Sequence, residues 1–317
     1  MLIIEIEMGL DGKIVNVTGC TGFLGSTLMR LLEQENCEVR GISHADYDLR
    51  RREDVERAFD NNPDFVFHAA AMMGGISLSY THPADLFYNN LLMTTFIIDV
   101  AKDTGVEKII NPLSNSSYPM HKEGKLKEDD LWEGTIHESA IAFGMTKRLS
   151  CIQAWAYKKQ HNLDIFSLIL PNMYGPFGHF EENRAHALNA LIKKFVDAKE
   201  LEKETVIVWG TGTPIREWLY VEDGARAMIK AANISYPEPV NIGLGKGISM
   251  SSLAEIIKDV TEFKGKIEYD TSKPDGVPYK AMDNTRMKEI FNWVPETNLR
   301  EGIIKTVEWY IKNKKRR

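Results

Sequence analysis

The chain has 317 residues, 43% of them hydrophobic and 26% charged, which is ordinary for a globular protein and excludes a disordered one. Lysine and arginine number 39 against 45 aspartates and glutamates, giving a net charge of −6. Nucleic acids and anionic membranes attract basic surfaces, so neither is expected as a partner. Three cysteines without paired spacing indicate reduced thiols and a cytoplasmic protein: Cys20, Cys37 and Cys151.

Short apolar strands alternate with helical patterns through the first half of the chain. Strands separated by helices favour right-handed crossovers, and therefore an α/β fold with a Rossmann-type doubly wound parallel sheet. Ligands of such sheets bind beyond the carboxyl ends of the strands, so functional residues are expected there. Strands are predicted at residues 13–17, 38–43, 64–68, 108–114 and 165–170.

The second half of the chain has a looser pattern. A strand is predicted at 205–209, and a last amphipathic helix is predicted at 299–313. The segment Ser252-Leu253-Ala254-Glu255 has the pattern of a capping box and predicts the start of another helix. These elements predict a smaller C-terminal α/β lobe for the substrate. The predicted division assigns 12–171 and about 218–243 to the dinucleotide, and 172–217 and 244–317 to the substrate.

A glycine-rich turn lies between the first predicted strand and the first helix. Gly19, Gly22 and Gly25 follow one another at intervals of three residues. The first glycine permits a tight turn, the second lets the backbone approach a pyrophosphate, and the third allows close helix packing. Together with the positive end of the helix, this pattern predicts a dinucleotide site. Its expected contacts are Gly19, Thr21, Gly22, Phe23, Leu24 and Gly25.

The end of the second predicted strand bears on the choice between NAD and NADP. An acidic side chain there usually binds the ribose 2′-hydroxyl of NAD, but residues 39–45 contain no acid, and the first acid beyond the strand is Asp46. Ser43 and His44 are instead expected to donate to a 2′-phosphate, which favours NADP(H) and leaves NAD(H) open. Asp48 and Leu49 are predicted to border the adenine. The small side chains expected to let the cofactor lie close to the backbone are Ala69, Ala70 and Ala71.

Five further motifs extend through both halves of the chain. They are Ala69-Ala70-Ala71 with Gly74-Gly75, Pro83-Ala84-Asp85, the stretch from Pro171 to Pro176, the stretch from Val208 to Glu217, and Lys273-Pro274-Asp275-Gly276. These motifs resemble the extended short-chain dehydrogenase/reductase superfamily and, within it, the GDP-L-fucose synthase family. The resemblance spans about residues 12–313. It implies a nucleotide-sugar substrate, with GDP favoured, and hydride transfer at C4 of a keto sugar.

The superfamily transfers hydride with a tyrosine, a lysine four residues later and a serine. The lysine lowers the pKa of the tyrosine and holds the nicotinamide ribose, and the serine hydrogen-bonds the sugar oxygen. By resemblance, the lysine is Lys147 and the serine is Ser114, whereas the tyrosine position is occupied by Phe143. On a helix Phe143 and Lys147 would share one face, so the assignment of both positions is consistent.

Phenylalanine at position 143 has no proton to donate. Loss of a positioned general acid typically costs about 10²–10⁴ in rate. One explanation is an engineered Tyr-to-Phe variant that traps a complex. Another is a native enzyme whose proton carrier is Ser114, Lys147 or a water molecule. A third is a degenerate paralogue that binds its ligands without turnover.

A second departure from the family concerns epimerisation. By resemblance, a cysteine and a histidine act as an acid/base pair that inverts C3 and C5, and those positions are Ser116 and His186. An unactivated serine hydroxyl ionises far less readily than a thiol, so it is a poor acid or base near neutral pH. The sequence therefore favours redox chemistry at C4, with epimerisation reduced or absent.

Basic and aromatic residues of the second half are expected to hold the nucleotide sugar. By resemblance, Lys194 and Arg216 neutralise the diphosphate, and Lys280 reaches the sugar or the diphosphate. Trp209 would border the base or the sugar, and Asn172 would donate to the diphosphate or the sugar. The eight histidines are scattered along the chain, so no metal site is expected.

Two alternatives stand beside the C4 reductase. One is an NAD-dependent 4-dehydrogenase or 4-epimerase of nucleotide sugars. The other is a catalytically silent protein that binds a dinucleotide or a sugar nucleotide, for which Phe143 is the sole direct support. By resemblance, the helix after the fourth strand and the helix after the tyrosine position are also expected to form a four-helix bundle in a homodimer, and the second of them is predicted at 144–161. The apolar residues that exceed what one sheet face needs are Leu149, Ile152, Trp155 and Ala156.

Overall fold

The computed structural model describes residues 9–122, 124–181 and 185–314, so 182–184 and 315–317 of the predicted substrate lobe lie outside the described ranges. The strands are β1 Ile14–Thr18, β2 Glu38–Ile42, β3 Phe65–His68, β4 Lys108–Ser114, β5 Asp164–Leu170, β6 Asn172–Tyr174, β7 Thr205–Trp209, β8 Ile215–Arg216, β9 Trp218–Tyr220, β10 Val240–Asn241, β11 Ile248–Ser249, β12 Lys266–Asp270 and β13 Tyr279–Lys280. The helices are α1 Phe23–Leu32, α2 Arg52–Ala58, α3 Ile76–Thr81, α4 Pro83–Asp103, α5 Ile141–His161, α6 Ala187–Glu200, α7 Val221–Ala231, α8 Met250–Thr261, α9 Thr285–Phe291 and α10 Leu299–Asn313.

A six-stranded parallel sheet forms the centre of the first half of the chain. Its strand order is β10-β5-β4-β3-β1-β2, and every neighbouring pair is parallel. The five strands predicted from apolar runs are confirmed, with bounds that differ by at most one residue. The chain moves outward from β1 to β2 and then returns to β3 on the other side of β1. A crevice for ligands therefore opens above the carboxyl ends of β1 and β3.

Helices cover both faces of this sheet. On one face α1 packs against α7, and their apolar side chains share a core with Phe65 and Phe67. On the other face α2, α4 and α5 contribute to a core that contains Val66, because successive strand residues point to opposite sides. The predicted α/β fold with a Rossmann-type doubly wound sheet is therefore confirmed.

A third core lies among α6, α8 and α10. Their apolar faces pack with residues of β7, which pairs in parallel with β12. A three-stranded sheet, β11-β8-β13, and a two-stranded sheet, β6-β9, accompany this core. The predicted strand at 205–209 and the predicted helix at 299–313 are confirmed as β7 and α10.

The start of α8 differs from the predicted capping box. The helix begins at Met250, and Ser249 is its N-cap, with a hydroxyl that accepts a hydrogen bond from the Ser252 amide at 3.1 Å. Ser249 also ends β11, whose antiparallel pairing with β8 determines where the chain leaves the sheet. The prediction of a start at Ser252 is therefore wrong. Ser249 is the N-cap instead, because the pairing of β11 with β8 fixes where the helix begins.

Gly25 sets the distance between α1 and the turn that precedes it. A Cβ atom at this position would overlap the carbonyl oxygen of Gly19 and would lie 2.7 Å from its carbonyl carbon. Any side chain larger than hydrogen would push the helix away from the turn. The third glycine of the predicted pattern therefore permits the close helix packing expected of it.

Candidate active site

The glycine turn joins β1 to α1 at the carboxyl end of the sheet. Gly19 has a φ of +65°, and its amide donates to the Ile42 carbonyl at 2.9 Å, so the turn is held against the end of β2. A Cβ atom at Gly19 would lie 2.8 Å from Cα of Ala70, so glycine is required for this approach. The Gly22 amide donates to the Gly19 carbonyl at 2.9 Å, and α1 begins at Phe23.

The N-terminus of α1 fits an anionic group. Gly22 is the N-cap without a side-chain hydrogen bond, and the first turn has no acidic residue. The amide groups of a first helical turn carry partial positive charge, and no capping side chain competes for them here. Thr21 and Gly22 are exposed, whereas Leu24 and Gly25 are buried behind them. These residues therefore fit the pyrophosphate of a dinucleotide.

A buried hydrogen-bond chain joins the ends of β1 and β3. Thr18 Oγ1 lies 3.0 Å from His68 Nδ1, and His68 Nε2 lies 3.1 Å from Thr94 Oγ1. Burial, and secondarily the charge of Lys147, lowers the pKa of His68 to about 3, so the ring is neutral. The Ala70 amide donates to Thr18 Oγ1 at 3.2 Å, which holds the segment after β3 beside the glycine turn. The half-buried alanines of that segment are Ala69, Ala70 and Ala71.

Ser43 and His44 directly follow β2, whose last residue, Ile42, accepts a hydrogen bond from the glycine turn. The Ser43 hydroxyl is buried and donates to the Asp46 carboxylate at 2.6 Å. His44 is exposed. Ser43 must therefore exchange its bond with Asp46 before it can donate to a 2′-phosphate, whereas His44 is accessible as the structure stands.

The two residues predicted to border the adenine lie differently. Asp48 is half-buried and binds the Arg50 guanidinium through both carboxylate oxygens at 2.7 Å, and these bonds lower the pKa of Asp48 to about 2. Leu49 is buried and packs in the core beneath α2. Of the predicted pair, Asp48 is the residue that reaches the surface.

Ser114, Phe143 and Lys147 lie at the carboxyl end of β4. Ser114 is the last residue of β4, and α5 carries Phe143 and Lys147 one helical turn apart. The Lys147 ammonium donates to the Pro112 carbonyl at 2.9 Å and lies 5.5 Å from the centre of the Phe143 ring. Burial lowers the pKa of Lys147 to about 8. This arrangement places a buried cation and a serine hydroxyl on the same edge of the sheet as the glycine turn.

The turn after β4 packs directly against α5. A Cβ atom at Gly144 would lie 2.6 Å from the Ser116 carbonyl oxygen. The hydroxyl and the amide of Ser116 both donate to Ser114 Oγ, at 2.9 and 3.1 Å. His186 is the half-buried N-cap of α6, where burial, and secondarily His179, lowers its pKa. Within the described ranges Ser116 therefore bonds to Ser114, and no hydrogen bond joins Ser116 to His186.

Arg216 and Lys280 lie side by side in the three-stranded sheet. They are partners in the parallel register of β8 and β13. Burial, and secondarily the charge of Arg216, lowers the pKa of Lys280 to about 8, and burial lowers the pKa of Arg216. Arg216 donates to the backbone carbonyls of Ile215 and Asp275 at 2.9 and 3.1 Å. Neither cation forms a salt bridge with a described residue, so the pair suits an anion such as a diphosphate.

Trp209 lies between two ammonium groups at the end of β7. Its side chain is exposed, with Lys194 Nζ 5.1 Å and Lys273 Nζ 5.5 Å from the ring centre. Both distances fall within the range of cation–π attraction. Lys273 is absent from the predicted site residues, although it stands in one of the five motifs. Asn172 begins β6, and its Nδ2 donates to the Glu217 carbonyl at 3.3 Å.

Glu217 is a buried carboxyl group that the sequence interpretation did not single out. It is completely buried and accepts hydrogen bonds from the amides of Gly245 and Met282 at 2.8 and 2.7 Å. Its own amide donates to the Lys280 carbonyl at 3.1 Å, so it joins three segments around the two cations. Burial raises the pKa of Glu217 to about 7. One feature of the sequence could have indicated this buried carboxyl group. Glu217 lies directly between Arg216 and the apolar strand β9.

Two kinds of feature are absent from the described part of the chain. Its histidine, cysteine, aspartate and glutamate side chains do not gather in groups of three or more that could hold a metal ion. None of its helices is both long enough and apolar enough to cross a bilayer. The three cysteines are free thiols.

The parallel sheet, the glycine turn and the strand-end serine beside a buried lysine define a dinucleotide-binding α/β protein. Residues 15–243 match the NAD dependent epimerase/dehydratase family. The chain belongs to this family, which confirms the resemblance to the extended short-chain dehydrogenases/reductases.

Known proteins similar to this chain support the same assignment. Probable GDP-L-fucose synthase 1 of Oryza sativa subsp. japonica is 38% identical over 308 residues, covering 95% of this chain and 93% of the relative. A GDP-L-fucose synthetase from Naegleria fowleri bound to NADP has a TM-score of 0.89 at 26% identity, covering 99% and 96% of the two chains. A GDP-mannoheptose C4 reductase from Campylobacter jejuni with NADP bound has a TM-score of 0.85 at 25% identity, covering 95% and 99%.

Glu217→Gln tests the buried carboxyl group. Burial raises the folded pKa of Glu217 from its ordinary value of 4.5 to about 7, so the fold favours the protonated form. The stability supplied by this preference is complete below pH 4.5 and is lost as the pH rises through 7. We therefore compare the free energy of unfolding of the native chain with that of Glu217→Gln. The difference, native minus variant, is expected to fall by about 3 kcal/mol from acid to mildly alkaline pH. A constant difference in urea titrations across this range would contradict the assignment.

Proposed function

We propose that this chain is an NADP(H)-dependent oxidoreductase that acts at C4 of a GDP-linked keto sugar, with epimerisation reduced or absent. The observation that carries the proposal is the cluster of Ser114, Phe143 and Lys147 at the carboxyl end of β4, on the edge of the sheet that also bears the glycine turn. Membership of the family and the names of its GDP-sugar relatives support the substrate class.

The cofactor is assigned to the crevice between β1 and β3. Gly22 and Phe23 at the start of α1 bind the pyrophosphate, His44 and Ser43 meet the 2′-phosphate, and Lys147 holds the nicotinamide ribose. NADP in two similar solved structures supports NADP(H) over NAD(H). When bound, the reduced nicotinamide supplies the hydride for the reaction.

The nucleotide sugar is assigned to the second half of the chain. Arg216 and Lys280 neutralise the diphosphate, since they form a half-buried pair of cations without a salt-bridge partner in the described ranges. Trp209 borders the base or the sugar, and Lys194, which the resemblance assigns to the diphosphate, lies against the Trp209 ring. Asn172 contributes an amide next to Arg216, since it bonds to the Glu217 carbonyl. The proposed division of the chain is a dinucleotide domain of 12–171 and about 218–243, and a substrate lobe of 172–217 and 244–317.

Incubation with NADPH and GDP-4-keto-6-deoxymannose tests this function. The native chain is expected to consume NADPH slowly, because Phe143 donates no proton, and to use NADH less well. Phe143→Tyr is expected to raise turnover about 10²-fold by supplying a general acid. Phe143→Leu is the matched control, because it alters the ring without adding a hydroxyl. Absence of NADPH consumption by both the native chain and Phe143→Tyr would overturn the function.

Solvent deuterium measures the proposed loss of epimerisation. Inversion at C3 or C5 removes a carbon-bound proton and returns one from solvent, so it introduces deuterium in D₂O. Because Ser116 bonds to Ser114 and not to His186, the product of the native chain is expected to carry little deuterium at either carbon. Ser116→Cys is expected to increase the exchange, since a thiol ionises more readily. Complete deuteration by the native chain, above an enzyme-free control, would contradict this assignment.

We also propose that two copies associate in the cytoplasm through a four-helix bundle of α4 and α5. The helix after β4 and the helix at the tyrosine position are both α5, so its partner in the bundle is α4, which precedes β4. These helices pack side by side, and α5 exposes Ile152 by 47% and Trp155 by 62%. A second copy of the same face would remove these side chains from water in a four-helix bundle. The free thiols Cys20, Cys37 and Cys151 support a reducing compartment.

Trp155→Glu tests the homodimer. A charge in the centre of the bundle is expected to convert the dimer to a monomer, as measured by light scattering. Leu201→Glu is the matched control, because Leu201 is 66% exposed and follows α6 in the other half of the chain. A native chain that is already monomeric, or a Trp155→Glu variant that stays dimeric, would refute the proposed interface.

A further inference from the structure

We propose that Ser114 delivers the proton to the C4 oxygen of the sugar and that Ser116 resupplies Ser114, so that two serine hydroxyls replace the missing phenol at position 143. This inference rests on the proposed function, since it identifies the proton source for reduction at C4. It assigns Ser116 a role in proton transfer at C4 instead of epimerisation at C3 and C5.

The hydrogen bonds that Ser114 accepts determine where its own proton points. Its oxygen accepts one bond from the Ser116 hydroxyl at 2.9 Å and another from the Ser116 amide at 3.1 Å. A hydroxyl oxygen has two lone pairs and one O–H group. Both lone pairs are occupied by residue 116, so the O–H of Ser114 is left to donate to a group outside this pair.

The exposure of the turn gives both serines the access that a relay needs. Ser114 and Ser116 are half-buried, whereas Asn115 and Ser117 are 3% and 0% exposed. Buried and partly exposed residues therefore alternate along this turn. Both serines are partly accessible from outside the core, and one hydrogen bond connects their hydroxyls.

The same hydrogen bonds make Ser114 a better proton donor. As Ser114 gives up its proton its oxygen gains negative charge, and two donors from Ser116 already point at that oxygen. The sugar oxygen becomes alkoxide-like as C4 receives the hydride, and its basicity is then similar to that of a serine alkoxide. The transfer of the proton between these two oxygens is therefore nearly balanced.

The step conserves atoms and electrons. C4 gains a hydride with its electron pair from the reduced nicotinamide, and the C4 oxygen gains a proton as the O–H bond of Ser114 breaks. The proton of the Ser116 hydroxyl then passes to Ser114 Oγ, and Ser116 regains a proton from water, which leaves as a hydroxide ion that the buffer neutralises. The ketone is reduced to an alcohol and the nicotinamide is oxidised.

Other proton-bearing groups of this region are buried. Lys147 is buried and directs an N–H to the Pro112 carbonyl at 2.9 Å. The Tyr118 hydroxyl is buried and donates to Asn241 Oδ1 at 2.7 Å. Cys151 is also buried. Compared with these groups, the serine pair combines a directed O–H with access to solvent.

Removal of the Ser116 hydroxyl with and without a phenol at position 143 tests the relay. With NADPH and GDP-4-keto-6-deoxymannose, Ser116→Ala is expected to lower kcat about 10²-fold in the native background. In the Phe143→Tyr background the same change is expected to cost less than about threefold, because the phenol supplies the proton and uncouples the two sites. Ser116→Thr keeps the hydroxyl and is expected to retain activity in both backgrounds.

Binding measurements without turnover separate proton transfer from folding. NADPH fluorescence titrations are expected to give the same Kd for Ser116→Ala and for the native chain. With GDP-L-fucose as the probe and no cofactor present, Ser114→Ala is expected to weaken binding about tenfold, because the hydrogen bond to the C4 oxygen is lost. Unchanged binding of this probe would overturn the direction assigned to the Ser114 O–H.

The outcomes of the kinetic test are distinct. Equal losses from Ser116→Ala in both backgrounds would assign Ser116 a structural role and overturn the relay. Full activity of Ser116→Ala in the native background would overturn it as well. A failure of the proposed function gives a different result, because neither the native chain nor Phe143→Tyr would then consume NADPH with the sugar. That result would also overturn the relay.

Discussion

The hydrogen bond between the Lys147 ammonium and the Pro112 carbonyl holds the site together. A cation buried this deeply is costly unless a polar partner meets it, so α5 cannot move away from β4 without exposing or stranding the charge. Ser114 stands two residues beyond Pro112, and the small Gly144 lets the turn after β4 rest on the same helix. The position of the serines, the aromatic ring and the cation therefore follows from one contact between helix and strand.

The rest of the site is arranged around the carboxyl ends of the parallel strands. The glycine turn presses against the segment after β3, and a neutral His68 links the ends of β1 and β3 through two threonines. The second half of the chain supplies Arg216 and Lys280 on neighbouring strands. Each element presents its polar groups from a rigid strand end or helix start, while apolar cores on both faces of the sheet support them.

Much of this architecture could be predicted from local sequence patterns. Continuous apolar runs place β4 and its neighbours to within a residue, since strands buried on both faces need apolar side chains throughout. The intervals between Gly19, Gly22 and Gly25 likewise predict the turn, because a Cβ atom at any of these positions would crowd backbone atoms. Such requirements are local, so they can be recognised without knowledge of the tertiary structure.

The features that escaped prediction depend on residues far apart in the chain or on competing local partners. The buried state of Glu217 depends on amides at Gly245 and Met282, which no spacing rule connects to it. The bond from Ser116 to Ser114 likewise competes with the pairing to His186 that the family resemblance implied, and the geometry of the turn decides between them. Arg216 and Lys280 carry a different consequence, because like charges held together in a half-buried sheet repel one another until an anion arrives. An anion bound between Arg216 and Lys280 would relieve this repulsion, and because it would bind only the folded chain, it would also slow unfolding and proteolysis.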